Sequence, residues 1–160
     1  MNIHLLVTGG TIDKEYHELT GELAFKDTHL PEMLSLGRST LQVEIQTVMM
    51  IDSLLMTAAD RERIAECCRT VSSDRIVVTH GTDTMTETAK ALAHIAGKTI
   101  VLTGALSPAR FAETDAPFNL GMAFAAAQVA LPGVYIAMSG QVFDGLKVRK
   151  DRAAGRFVAL

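Results

Sequence analysis

Apolar residues along the chain fall into two kinds of run. Short aliphatic blocks read as buried parallel strands: Ile3 to Val7, Leu41 to Val48, Arg75 to Thr79, Thr99 to Thr103 and Val134 to Met138. Gln141 to Asp144 offers a further short strand. Between the blocks lie stretches with helical spacing. Ala59 to Thr70 is predicted as a helix, with Thr57 and Asp60 as its capping pair. Thr84 to Ala96 is a second, opened by Thr84 and Glu87 at capping-box spacing and closed by Gly97. A third runs from about Pro117 to Ala130, with Asp115 near its cap. Its stripe of Phe118, Met122, Ala125 and Val129 is expected to pack on a sheet. Leu30 to Leu36 forms a short helix ended by Gly37.

Strands alternating with helices predict an α/β fold: a doubly wound, mainly parallel sheet with helices on both faces, in a three-layer, flavodoxin-like arrangement. The 160 residues, 48% of them hydrophobic, suffice for one domain with a packed core. A net charge of -3, with no Lys/Arg cluster and no Trp, argues against a nucleic-acid partner. The longest apolar stretch, Met122 to Met138, is interrupted by Gln128, Pro132 and Gly133, which argues against a membrane span. The start, Met1-Asn2-Ile3-His4, lacks the cationic opening and long apolar core of a signal peptide, so a cytoplasmic location is expected. Cys67 and Cys68 are adjacent on a predicted helix and lack metal-ligand spacing, and His4, His17, His29 and His94 are scattered. No metal or cofactor is expected.

Chemistry concentrates in two hydroxyl-rich loops, Thr8-Gly9-Gly10-Thr11-Ile12 and Thr79-His80-Gly81-Thr82-Asp83-Thr84-Met85, each directly after a strand. Ligands of open parallel sheets bind outside the carboxyl ends of the strands, so both loops are expected to face one crevice. Thr11, Ser53, the Thr82-Asp83 pair and Lys150 all follow strand segments. A threonine hydroxyl is a weak nucleophile until its proton is removed. Lys150 can remove it only as a neutral amine, and a neighbouring Asp83 would hold the lysine while opposing that state. Tyr16, five residues after Thr11, is the other candidate proton carrier. His80 is expected to orient or pack its loop. Threonines also serve at turns and caps, and Lys147-Val148-Arg149-Lys150 also reads as a solvated cationic segment. Phosphate-loop, dinucleotide, nucleophile-elbow and zinc-protease motifs are absent.

In this order the motifs resemble the bacterial-type L-asparaginase family. Thr8-Gly9-Gly10-Thr11-Ile12 is similar to its first signature, and His80-Gly81-Thr82-Asp83-Thr84-Met85 with Glu87-Thr88-Ala89 to its second. Asp115-Ala116-Pro117-Phe118-Asn119-Leu120 is similar to a further segment, with Ala116 where the family has glycine. Asp144-Gly145 followed by Lys150 matches the spacing of the catalytic lysine. The resemblance spans the chain but only the family's amino-terminal domain, so the expectation is a compact member without the carboxy-terminal domain.

The resemblance implies hydrolysis of L-asparagine to aspartate and ammonia through an acyl-enzyme. Thr11 would be the nucleophile with Tyr16 beside it, and Thr82, Asp83 and Lys150 a second catalytic cluster. Gly10, Asp52, Ser53, Gly81, Thr82 and Asp83 would surround the substrate. Ser53 would contact its α-carboxylate and Asp83 its α-amino group. A homodimer or homotetramer is implied. The alternatives are a catalytically weak or inactive amino-acid-binding module, an amidase for glutamine or another small amide, and a phosphate-binding flavodoxin-like protein.

Overall fold

A computed structural model describes residues 1–160. Six strands form the main sheet: β1 (Asn2–Gly9), β4 (Gln42–Ile51), β5 (Arg75–Thr79), β6 (Thr99–Thr103), β7 (Gly133–Met138) and β8 (Gln141–Asp144). Their order is β4-β1-β5-β6-β7-β8; all pairs are parallel except β7–β8. Two hairpins stand outside it, β2 (Lys14–His17) with β3 (Glu22–Phe25), and β9 (Val148–Asp151) with β10 (Arg156–Ala159). The helices are α1 (Leu30–Leu36), α2 (Ala58–Thr70), α3 (Met85–Leu92) and α4 (Ala116–Val129). Short 3-10 turns follow β1 (Thr11–Asp13) and β4 (Ser53–Leu55).

Because strand side chains alternate between faces, the central strands feed two cores. Leu6, Ile76, Val78, Ile100, Leu102 and Ile136 pack against α2 and α3. Leu5, Val7, Val77, Val101 and Ala137 pack against α1 and α4. The expected three layers are therefore present. Thr57 and Asp60 form the reciprocal cap of α2, worth about 1 kcal/mol.

Three local expectations are corrected. The stripe of Phe118, Met122, Ala125 and Val129 does not pack on the sheet as a unit: Phe118 is 65% and Val129 83% exposed, and only Met122 leans against the core. The sheet side of α4 is Ala116, Leu120, Ala123, Phe124 and Ala127. α4 is apolar nearly all round, so periodicity alone could not choose its face. Thr84 stands at the N-cap of α3 but forms no capping box with Glu87: its hydroxyl donates to the Ser53 carbonyl at 2.9 Å, while Glu87 pairs with Arg61. α3 ends at Leu92 because the chain tightens there, with Ile95 N–H donating to the Leu92 carbonyl. Asp115 holds the N-cap position of α4 as expected, with its carboxylate turned away to accept from Leu106 N–H and Ser107 N–H.

β1 lies between β4 and β5, so the chain leaves it first to one side and later returns on the other. That reversal opens a crevice at the carboxyl ends of β1 and β5.

Candidate functional site

The crevice is built on two glycines. Gly9 and Gly10 take φ of 94° and 82°, which turns the chain sharply after β1. A Cβ on Gly10 would lie 2.6 Å from the Gly81 Cα, so the first loop touches the second backbone to backbone. Thr11 and Thr82 each leave this contact one residue later, which brings the two hydroxyl loops together as expected. Gly81 in turn lies against Ser53; a Cβ there would stand 2.5 Å from the Ser53 Oγ. Ser53 is buried, and its carbonyl is tied to Thr84. Loops after β1, β4 and β5 thus meet at Gly10, Ser53 and Gly81.

The loops are braced from below. Thr8 Oγ1 donates to the Thr79 carbonyl at 2.7 Å, and His80 N–H donates to the Thr103 carbonyl at 2.8 Å. The His80 ring is fully buried. Its Nδ1 faces the Gly81 carbonyl at 2.7 Å, a group that only accepts, so Nδ1 carries the proton. Nε2 then accepts from Thr88 Oγ1, also at 2.7 Å. Burial pushes the imidazole down to about 4, and the nearby Arg61 charge acts in the same direction. A neutral His80 of fixed tautomer orients its loop, as the sequence suggested.

Lys150 reaches this floor from β9. Its Nζ donates to Thr82 Oγ1 and to Asp83 Oδ1, both at 2.7 Å. Asp83 is partly exposed and the lysine nearly buried. The expected cluster of Thr82, Asp83 and Lys150 is thus assembled; of the Lys147–Lys150 run, Val148 to Lys150 lie on β9 with Lys150 directed at the loop, while Lys147 stands exposed before the strand.

Asp52 accepts from Leu54 N–H at 3.0 Å and from Lys14 Nζ at 2.6 Å. The Lys14 hydrogen bond, and then that of Leu54, hold its carboxyl below the usual carboxylate range. Tyr16 is not brought in. It is 59% exposed on β2, and its hydroxyl lies beside Gly21 of its own hairpin turn. No hydrogen bond joins it to Thr11, Thr82 or Lys150.

Two features were missed in the sequence. Lys14 lies three residues beyond Thr11, but only the hairpin beginning there aims it at Asp52. Buried Asn119 donates to the Gly104 carbonyl and to Asp115, and accepts from Ser139 N–H. It knits the loop after β6 to that after β7; Ala109 N–H then donates to the Ile12 carbonyl beside Thr11. The signal was the Asp115–Asn119 spacing, which places the two side chains one helical turn apart. No group of three or more His, Cys, Asp and Glu side chains has metal-site geometry, and no helix is long and apolar enough to cross a membrane.

Known proteins match the chain along nearly all of its length. Residues 2–157 match the N-terminal domain of the asparaginase family. The L-asparaginase of Thermococcus kodakarensis is 30% identical over 161 residues, covering 97% of this chain and 49% of that protein. Its solved structure superposes with a TM-score of 0.86 at 29% identity, over all of this chain and 51% of that one. A glutamyl-tRNA(Gln) amidotransferase subunit of Methanococcus vannielii is 32% identical over 174 residues, covering 97% of this chain and 40% of that protein. L-asparaginase I of Vibrio cholerae superposes with a TM-score of 0.87 at 26% identity, over 99% of this chain and 51% of that one. The chain spans about half the length of the curated relatives it matches. With its two glycine-threonine loops in one crevice and a match along nearly its whole length, this chain belongs to the asparaginase family, through that family's N-terminal domain.

Proposed function

We propose that the crevice hydrolyses the side-chain amide of a small amino acid, L-asparagine first, releasing ammonia. The observation that carries this reading is Lys150 Nζ at 2.7 Å from both Thr82 Oγ1 and Asp83 Oδ1, on a loop whose backbone touches the one bearing Thr11. Thr11 attacks the amide carbon, the amide nitrogen leaves as ammonia, and water then cleaves the ester. The Gly81 and Thr82 N–H groups make no backbone hydrogen bond and are available to the developing oxyanion. Thr82 and Lys150 move the proton that Thr11 loses on attack: as an amine the lysine takes it by way of the Thr82 hydroxyl, and as an ammonium it returns it to the leaving nitrogen. Asp83 holds the lysine and presents its exposed edge to the substrate's α-amino group. Ser53, with Asp52 fixing its turn, faces the α-carboxylate. Tyr16 joins this set only when its hairpin folds inward.

The kinship with an amidotransferase subunit supports a second reading, in which the amide nitrogen comes from glutamine and is passed on. Apolar residues on the outer side of α4 support assembly into a homo-oligomer, which light scattering would read. Ammonia release from asparagine and from glutamine separates the two hydrolytic readings. Activity on asparagine that vanishes in Thr11→Ala and Lys150→Met carries the proposal. A folded protein that binds aspartate without turning over either amide would leave a binding module.

A further inference from the structure

Two 3-10 turns hold the two ends of the candidate site. Thr11–Asp13 carries the candidate nucleophile, and Ser53–Leu55 begins with the residue facing the substrate's carboxylate. Lys14 is the residue that ends the first turn, and Asp52 is the residue that caps the second. One ion pair, Lys14 Nζ to Asp52 Oδ2 at 2.6 Å, therefore joins the end of one turn to the start of the other. It is supported at both ends. Asp52 Oδ1 is spent on Leu54 N–H, so the carboxylate cannot swing without releasing the Ser53 turn. The Lys14 stem lies along β2 opposite Phe25, whose ring centroid is 5.5 Å from the ammonium. The other ties between these segments, the Gly9–Ile51 pairing and Gly10 N–H to the Ile51 carbonyl, fix the strand ends but not the turns.

We propose that Lys14 is a positioning residue for the reaction inferred above: through Asp52 it sets the distance between Thr11 and Ser53, and so between nucleophile and bound substrate. The inference rests on the amide-hydrolysis reading for its kinetic consequence but not for its structural one. With Asp52 34% exposed, water partly screens the pair, and its contribution to global stability is modest. Its removal separates two turns and leaves both cores intact. Misplacement of a nucleophile by about 1 Å lowers turnover by about 100-fold.

The test compares Lys14→Met and Lys14→Arg with the wild-type protein. Hydrogen exchange by mass spectrometry should accelerate in Lys14→Met over residues 10–16 and over residues 52–56 together, with β5 and β6 unchanged. The melting temperature should barely move. On asparagine, kcat should fall by about 10- to 100-fold while KM rises much less, and Lys14→Arg should recover most of the loss. Asp52→Asn combined with Lys14→Met should be no worse than the poorer single variant. Faster exchange confined to residues 10–16, or wild-type kcat in Lys14→Met, overturns the proposal. A wild-type protein that releases no ammonia removes the hydrolase reading, and the exchange pattern alone then decides whether Lys14 couples the turns.

Discussion

The two hairpins outside the main sheet each deliver one lysine to one aspartate, and they are held by opposite means. In β9–β10, Val148 and Phe157 are buried in the larger core. Lys150 lies opposite Phe157 and two residues from Val148, so it shares their inward face. Apolar burial fixes the hairpin and thereby fixes the lysine. In β2–β3 no residue is buried, and Tyr16 and Leu23, which face each other, are 59% and 44% exposed. Its ties are polar and sit at its root: Lys14 on Asp52, and Asp13 accepting from Thr28 Oγ1 and His29 N–H. A hydrophobic anchor yields one preset geometry, whereas polar tethers on an exposed ribbon let the tip move while the base stays. The crevice therefore has one rigid side and one adjustable side.

The largest expected effects come from Lys150 on the rigid side and from Thr11, in the turn that leads into the adjustable one. Lys150→Met and Thr11→Ala should each lower kcat on asparagine by about 10³-fold or more, with unchanged melting, because proton transfer and the nucleophile are lost outright. Steady-state ammonia release checks both. Next is the anchor itself. Phe157→Ala should cost about 3 kcal/mol of stability in urea unfolding and reduce kcat as Lys150 loses its seat. Leu23→Ala, on the other hairpin, should cost no more than about 0.5 kcal/mol. Equal costs would erase the difference between the hairpins.

Acid should act beneath the crevice floor. His80 takes a proton at about 4 in the folded chain, well below its ordinary value. Its contribution to stability is complete above pH 6.5 and is lost as pH falls toward 4, about 3 kcal/mol in all. Asp13 acts in the opposite sense, since burial raises its pKa and acid favours its folded form. Melting temperature should fall between pH 6.5 and 5, above the range where ordinary carboxylates protonate, and His80→Gln should flatten that slope. The smallest catalytic effect is expected at the adjustable side's tip. Tyr16→Phe should lower kcat by no more than about tenfold, because its hydroxyl stands beside Gly21 of its own turn and makes no hydrogen bond to Thr11.

The same contrast explains what could be read from the sequence. β5 and β6 were legible to the residue, because a strand buried on both faces is an unbroken aliphatic block. The hairpins were not. Lys14-Glu15-Tyr16-His17 and Val148-Arg149-Lys150-Asp151 are four-residue strands without apolar alternation. The first is paired through a turn at Gly21 with φ of 71°, and the second is defined by distant contacts of Phe157. Thr11, Thr82, Asp83 and Lys150 were found through motif order, which carries no distances. Lys14 was missed for the same reason its hairpin was. The outward side of α4 was misassigned because small residues such as Ala123 and Ala127 face the sheet there, and larger Phe118 and Val129 do not.

The central claim is that Thr11, Ser53, Thr82 and Asp83 surround one small amino-acid ligand. A crystal structure of the L-aspartate complex tests it most directly. The side-chain carboxylate should lie between Thr11 and Thr82, with the α-carboxylate on Ser53 and the α-amino group on Asp83. Aspartate bound away from the Gly10–Gly81 contact, with those four side chains untouched, would contradict it.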